Sequence, residues 1–281
     1  MTPASRRTAF WSNPPWANGN GGYQMLLKPL AESEWCPCRI NGEEKRLKQD
    51  LLNQQFATTT QTIKGSETAQ QLLAQAIGDR FPLSDTTALS QPEQASNALP
   101  LVASALTVPE DLCLMQQDRD GYHLVAACVC APSYWYLPEK IGLSLSEIHE
   151  PVPGLNDSLA QRMGEFFNKL PANRVFTRRN WLIHTSRERF QPAPEERLQL
   201  HTLDQAKTLV MRSETQTLRR LSDRVVVFTI NIECHPLADI SAYPSAASAL
   251  KQALLSRNND ERAAAGQDKY QDAVLQLLNN L

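Results

Sequence analysis

Apolar residues recur at helical spacing in several parts of the chain. Between Glu43 and Phe56, Leu47, Leu51 and Leu52 stand among charges, and from Ser66 to Ile77 the residues Leu72, Leu73, Ala76 and Ile77 share one face. Asp157 to Leu170 is amphipathic, with Leu159, Met163, Phe166, Phe167 and Leu170 on its apolar side. A shorter pattern, Ile141, Leu145 and Ile148, runs into His149. Beyond Pro236 the chain reads as helical, ending in a stripe of Tyr270, Val274, Leu277, Leu278 and Leu281.

A period of two takes over in the middle of the chain. Asp111–Gln117 and Tyr122–Ala131 flank Asp118-Arg119-Asp120-Gly121, a hairpin by its turn chemistry. Both faces of Tyr122–Ala131 are largely apolar, as in a central strand covered on two sides. Further strands are expected at Arg174–Thr185, Leu198–Leu203, Leu209–Ser213 and the β-branched Val225–Glu233. Residues 82–100, polar with three prolines, read as a linking loop. Residues 1–34, rich in glycine, proline and asparagine, read as an arm over the body. Helices, then antiparallel strands, then helices predict an α+β fold with one sheet. The expected organisation is a single domain over 1–281, with an N-terminal arm and helices (1–100) and a C-terminal helical extension (236–281).

Composition narrows the function classes. A net charge of -2 gives no electrostatic case for nucleic acid or an anionic membrane. No apolar run approaches a membrane-spanning length. Ser5-Arg6-Arg7 is followed by Trp11-Ser12-Asn13-Pro14-Pro15-Trp16 rather than by the apolar stretch of an export signal, so a cytoplasmic location is expected. Six cysteines (Cys36, Cys38, Cys113, Cys128, Cys130, Cys234) lack the two-residue gap of zinc and redox motifs and are expected as reduced thiols.

Three clusters carry candidate chemistry. His149 precedes Glu150-Pro151-Val152-Pro153-Gly154, whose prolines stiffen the backbone beyond it. Such a histidine suits the negative end of a helix dipole, or a job needing a fixed direction such as axial ligation of haem iron. No Cys-x-x-Cys-His exists, so a haem would be held non-covalently. Arg178-Arg179-Asn180-Trp181 lies on a strand; the ordinary use of Trp181 is core burial and that of Asn180 a turn or a network. Arg212, Glu214 and Gln216 are two apart and project together if extended, either lining a polar pocket or facing water. His123, His184, His201 and His235 stand singly, as structural residues do.

At these clusters the sequence resembles the haem-dependent oxidative N-demethylase α-subunit family. The resemblance rests on Gly22-Tyr23, Leu27-Lys28-Pro29-Leu30 and Trp35; on Pro109-Glu110-Asp111-Leu112 and Val129-Cys130-Ala131-Pro132-Ser133-Tyr134-Trp135; and on Lys140-Ile141-Gly142 and Ile148-His149-Glu150-Pro151-Val152-Pro153-Gly154. It continues through Arg178-Arg179-Asn180-Trp181, the run Arg212 to Leu221, and Phe228-Thr229-Ile230, spanning about residues 22–240. Ser222 stands where the family pattern has proline, and Thr215 replaces a basic residue.

The resemblance implies a PAS-like antiparallel sheet cupping a b-type haem ligated by His149. It implies that Arg212, and after it Arg178 or Arg179, pairs with haem propionates or polarises oxygen, with Glu214 and Gln216 ordering that network. Asn180 and Trp181 would join the cofactor-binding group. The implied reaction is O2-dependent demethylation of a small secondary amine such as dimethylamine. Electrons would come from reductase and ferredoxin-type partner subunits carrying FMN and a 2Fe-2S centre, and the formaldehyde equivalent would pass to tetrahydrofolate. A haem-based PAS gas or redox sensor is the rival expectation, although no output domain is read in the chain; a structural protein that has lost the haem is the third.

Overall fold

The computed structural model describes residues 3–22, 26–82, 99–149, 157–172, 174–193 and 199–281, without the side chains of 3–7 and 157–162. In chain order the elements are α1 (Pro3–Ser12), β1 (Lys28–Leu30), α2 (Gly42–Thr59), β2 (Thr60–Thr62), α3 (Glu67–Arg80), α4 (Pro100–Ala105), β3 (Asp111–Gln117) and β4 (Tyr122–Cys128). There follow α5 (Leu145–His149), α6 (Asp157–Lys169), β5 (Val175–His184), α7 (Leu203–Thr208), β6 (Val210–Ser222), β7 (Val225–Pro236), α8 (Pro244–Ser256), α9 (Asn259–Ala264) and α10 (Gln271–Asn279). One seven-stranded sheet runs β1-β5-β6-β7-β3-β4-β2, antiparallel between all neighbours. The fold is α+β, and none of the described helices is long and apolar enough to cross a membrane.

Local chemistry explains several elements. The β3–β4 turn closes with Asp118 N–H donating to the Gly121 carbonyl at 2.9 Å, and Gly121 takes a positive φ of 129° that a side chain would strain. β6 extends well past Ser213, where periodicity ended it. Its polar positions Arg212, Glu214 and Gln216 interrupt the apolar pattern, while β5 and β7 hydrogen-bond its backbone on both sides. The strand expected at Leu198–Leu203 does not form over the described residues 199–203. Instead Thr202 caps α7: it accepts from Gln205 N–H while the Gln205 side chain takes the Thr202 N–H, a capping box. Within the expected loop 82–100, residues 83–98 lie outside the described residues, and Pro100 opens α4 as its first residue.

Strand alternation divides the core. Leu112, Leu114, Val225 and Val227 meet α2, α3 and α4 on one face of the sheet. On that same face Trp181, Ile183 and Met211 meet the N-terminal arm, α8 and α10. Trp16 of the arm is fully buried there, its indole N–H donating to the Ala246 carbonyl at 2.9 Å. The opposite face presents Cys113, Met115, Val226 and Leu218 toward Phe167 of α6. The cavity described below lies on this second face.

Burial leaves one carboxyl poorly served. Glu110 is 3 % exposed, and among the described residues its Oε2 has no hydrogen-bond partner. Desolvation pushes its pKa from 4.5 to about 7. The protonated form therefore favours folding, so this contribution is full below about pH 4.5 and is lost as pH rises through about 7. Glu110→Gln is expected to remove that slope and to make the protein more stable than wild type at pH 8, by up to about 3 kcal/mol at 1.36 kcal/mol per pKa unit. Urea denaturation at pH 4.5 and pH 8 checks it; parallel pH dependences for the two proteins would refute it.

Candidate functional site

Between the second face of the sheet and helices α5 and α6 lies a cavity of about 280 Å³. Its apolar walls include Met163, Phe166 and Phe167 from α6, Ile148 from α5, and Leu218 and Phe228 from the sheet. Its polar lining comes from two sides. His149 stands at the end of α5, while Arg178, Asn180, Glu214 and Gln216 project from β5 and β6 beside Ser133.

The orientation of His149 is set by its own helix. Its Nδ1 lies 2.7 Å from the Leu145 carbonyl, which can only accept, so Nδ1 carries the proton and Nε2 keeps its lone pair. Burial lowers its pKa; the bond to Leu145 opposes this, and the charges of Arg178 and Lys140 lower it further. The ring is thus held neutral and directed, as a metal-bound imidazole must be. The acceptor sits one turn back in α5. The Pro-rich loop 151–154 that follows His149 lies outside the described residues.

The strand β5 splits the Arg178–Trp181 cluster in two. Arg178 and Asn180 line the cavity, paired across the sheet with Gln216 and Glu214. Arg179 and Trp181 point to the other face and cannot reach the same cofactor. Arg179 lies over Phe10, and Trp181 packs on Trp16 and under the Arg257 guanidinium at 4.2 Å. The expectation that all four residues serve one cofactor therefore fails on strand alternation, which sends consecutive side chains to opposite faces.

Glu214, 8 % exposed, is the hub of the polar wall. Its Oε1 accepts from the Ser133 hydroxyl at 2.6 Å, and its Oε2 from Gln216 Nε2 at 2.7 Å and Asn180 Nδ2 at 3.2 Å. Arg178 Nε in turn donates to Gln216 Oε1 at 2.6 Å. Among the described residues the terminal nitrogens of Arg178 have no hydrogen-bonded partner, and burial lowers its pKa against the pull of Glu214. Arg212 shares the sheet face of Glu214 and Gln216 but does not line the cavity. Fully buried, it donates to the carbonyls of Ala131, Pro132, Glu188 and Arg189 and to Ser133 Oγ. With its donors so committed, it is not placed to meet a propionate or oxygen, as had been expected of it.

Two contributors carried no assigned role in the sequence. Ser133 lay within a recognised motif, but its bond to Glu214 joins residues 81 apart. Asp111, 1 % exposed, accepts from the N–H groups of Cys130 and Ala131 at 2.8 and 2.9 Å and lines the cavity floor. Its available signal was a charge on the first residue of a strand whose next four positions are apolar. His184 and His235 are engaged elsewhere, stacked on Tyr134 and Phe10.

Over residues 45–275 the chain matches the family described as haem-dependent oxidative N-demethylase, alpha subunit-like. The chain belongs to this family. The matched span contains every polar cavity residue named above. No curated protein matches the chain. The family description is that of an alpha subunit, and hence of an enzyme built with other subunits. Among the described residues no group of three His, Cys, Asp or Glu side chains is arranged to hold a metal ion.

Proposed function

We propose that the chain binds b-type haem non-covalently through His149 and demethylates a small secondary amine, such as dimethylamine, with O2. The observation that carries this reading is one cavity with a tautomer-locked neutral histidine on one wall and a hydrogen-bonded carboxylate on the other. The residues fit the group. His149 would ligate the iron through Nε2, the Phe166, Phe167 and Phe228 walls suit a porphyrin face, and the free donors of Arg178 suit a propionate. The bound haem would supply the oxygen-activating redox chemistry.

The remaining work falls to the side chains. Alkylamines with pKa values like that of lysine, about 10.4, are ammonium ions at pH 7. Glu214 is the anionic acceptor on the cavity wall that would receive such an N–H, with Ser133, Asn180 and Gln216 holding it in place. A gas sensor has no need of this carboxylate, which favours turnover over sensing. Electrons would come from reductase and ferredoxin-type partner subunits carrying FMN and a 2Fe-2S centre, with tetrahydrofolate bound there too. An antiparallel sheet roofed by short helices supports a PAS-like reading in a single domain, and six free thiols support a cytoplasmic one.

Protein reconstituted with haem, a chemical reductant and oxygen is expected to release formaldehyde from dimethylamine. Trimethylamine and N-methyl amino acids define the specificity. Oxygen binding that ignores added amine would instead establish a sensor, and failure to take up haem would leave a structural protein.

A further inference from the structure

Two arginines approach Glu214 through one intermediary each. Arg178 Nε donates to the amide oxygen of Gln216, which commits the Gln216 NH2 group to donation; it gives one N–H to Glu214 Oε2. On the other side, Arg212 Nε donates to Ser133 Oγ at 2.8 Å, and the single Ser133 O–H points to Glu214 Oε1 at 2.6 Å. Arg212 also grips the backbone on which Ser133 rides. One of its terminal nitrogens bonds the carbonyls of both Ala131 and Pro132, and Asp111 holds the N–H groups of Cys130 and Ala131 from the same strap. Just beyond, Tyr134 takes a left-handed φ of 57° and stacks on His184 at 4.4 Å, and its N–H donates to the Gln191 carbonyl. A non-glycine residue keeps such a conformation only when its surroundings impose it.

A carboxylate offers about four acceptor positions. Ser133, Gln216 and Asn180 take three of them, and the one left belongs to Oε1, the oxygen that Ser133 also bonds. The direction of the vacant position is therefore set by where Ser133 stands, and Ser133 stands where Arg212 holds it.

We infer that Arg212 is a positioning residue acting through Ser133, aiming the free acceptor of Glu214 at a cationic N–H donor in the cavity. The role rests on the reading of Glu214 as the ammonium acceptor. It replaces the direct contact with cofactor or oxygen implied for Arg212 by family resemblance. Lysine cannot reproduce it, because one ammonium cannot reach Ser133 Oγ and several carbonyls in a fixed fork.

The test titrates dimethylammonium chloride into haem-loaded protein by calorimetry, with Ser133→Ala, Arg212→Lys and the double variant beside wild type. Each single variant is expected to weaken binding about ten- to a hundredfold, as losing a hydrogen bond to a charged group does. The double variant should bind no more weakly than the weaker single, because both changes break one relay. Ser133→Thr, which keeps the hydroxyl, should restore near-wild-type affinity, and it carries the test if Arg212→Lys fails to fold. Haem content and absorption spectrum should match wild type throughout. Multiplicative losses in the double variant, or unchanged affinity in Ser133→Ala, would overturn the inference while leaving the amine reading intact. Wild-type protein that takes up haem but binds no dimethylammonium would overturn the amine reading and this role with it.

Discussion

Haem-loaded His149→Ala is expected to lose the Soret position and spin state of the wild type and to bind haem far more weakly. In the proposed reading His149 is the iron ligand; its imidazole is oriented by a 2.7 Å bond from Nδ1–H to the Leu145 carbonyl, and removing only such an outer partner of a metal ligand commonly costs ten- to a hundredfold in metal affinity. Deleting the ligand itself should cost at least as much. Added free imidazole should restore the wild-type spectrum, because the apolar walls from α6 and the sheet remain. The other histidines are poor substitutes. His184 is 1 % exposed, stacked on Tyr134 and hydrogen-bonded to Gln191, and His123 pairs with Asp118 at 3.1 Å. Absorption spectra of the two proteins at equal haem loading decide the matter, and an unchanged Soret band in the variant would move the ligand elsewhere.

Local signals made the sheet legible, and non-local packing hid part of the site. The β3–β4 hairpin follows from four residues of turn chemistry, and the amphipathic pattern at 157–170 places α6 over the cavity. Apolar periodicity ends β6 early because Glu214 and Gln216 face a cavity and Arg212 is spent on backbone carbonyls beside it. The backbone pairing with β5 and β7 that keeps it straight leaves no trace in its own residues. Its spacing of two nevertheless placed Glu214 and Gln216 on one face, where the structure has them. The same spacing applied to β5 would have separated Arg178 and Asn180 from Arg179 and Trp181. Four adjacent residues on a strand cannot share one site, because alternate side chains leave opposite faces of the sheet.

The partners of Arg212 leave no local trace in the sequence. In β6 it is indistinguishable from Glu214 and Gln216, and only the strap at 131–133 and the carbonyls of Glu188 and Arg189 draw it away from the cavity. A buried guanidinium needs carbonyl or carboxylate partners to offset its desolvation. Those partners come from segments roughly 80 and 20 residues distant in sequence. Local patterns carry no information about such closures.

Glu214→Gln is expected to lower kcat/KM for dimethylamine by about a hundredfold or more in haem-loaded protein. Two effects act in the same direction. The neutral amide forfeits a charge-assisted bond to the ammonium, roughly 1.5–3 kcal/mol, or about ten- to a hundredfold. It also disrupts the wall around it, since Ser133, Asn180 and Gln216 all donate to the present carboxylate. The NH2 group of a glutamine at 214 would meet at least one of those donors head-on, leaving buried N–H groups unpaired. Charge loss and donor mismatch separate by shape: Glu214→Asp keeps the charge but shortens the reach to Ser133, so it should retain more activity than the amide. The haem spectrum should be untouched in both variants, because His149 and its Leu145 bond belong to α5 and not to the sheet. Formaldehyde release against amine concentration gives the measurement. Wild-type kcat/KM in Glu214→Gln would show that the ammonium finds another acceptor, whereas loss of haem in that variant would make Glu214 part of the cofactor site instead.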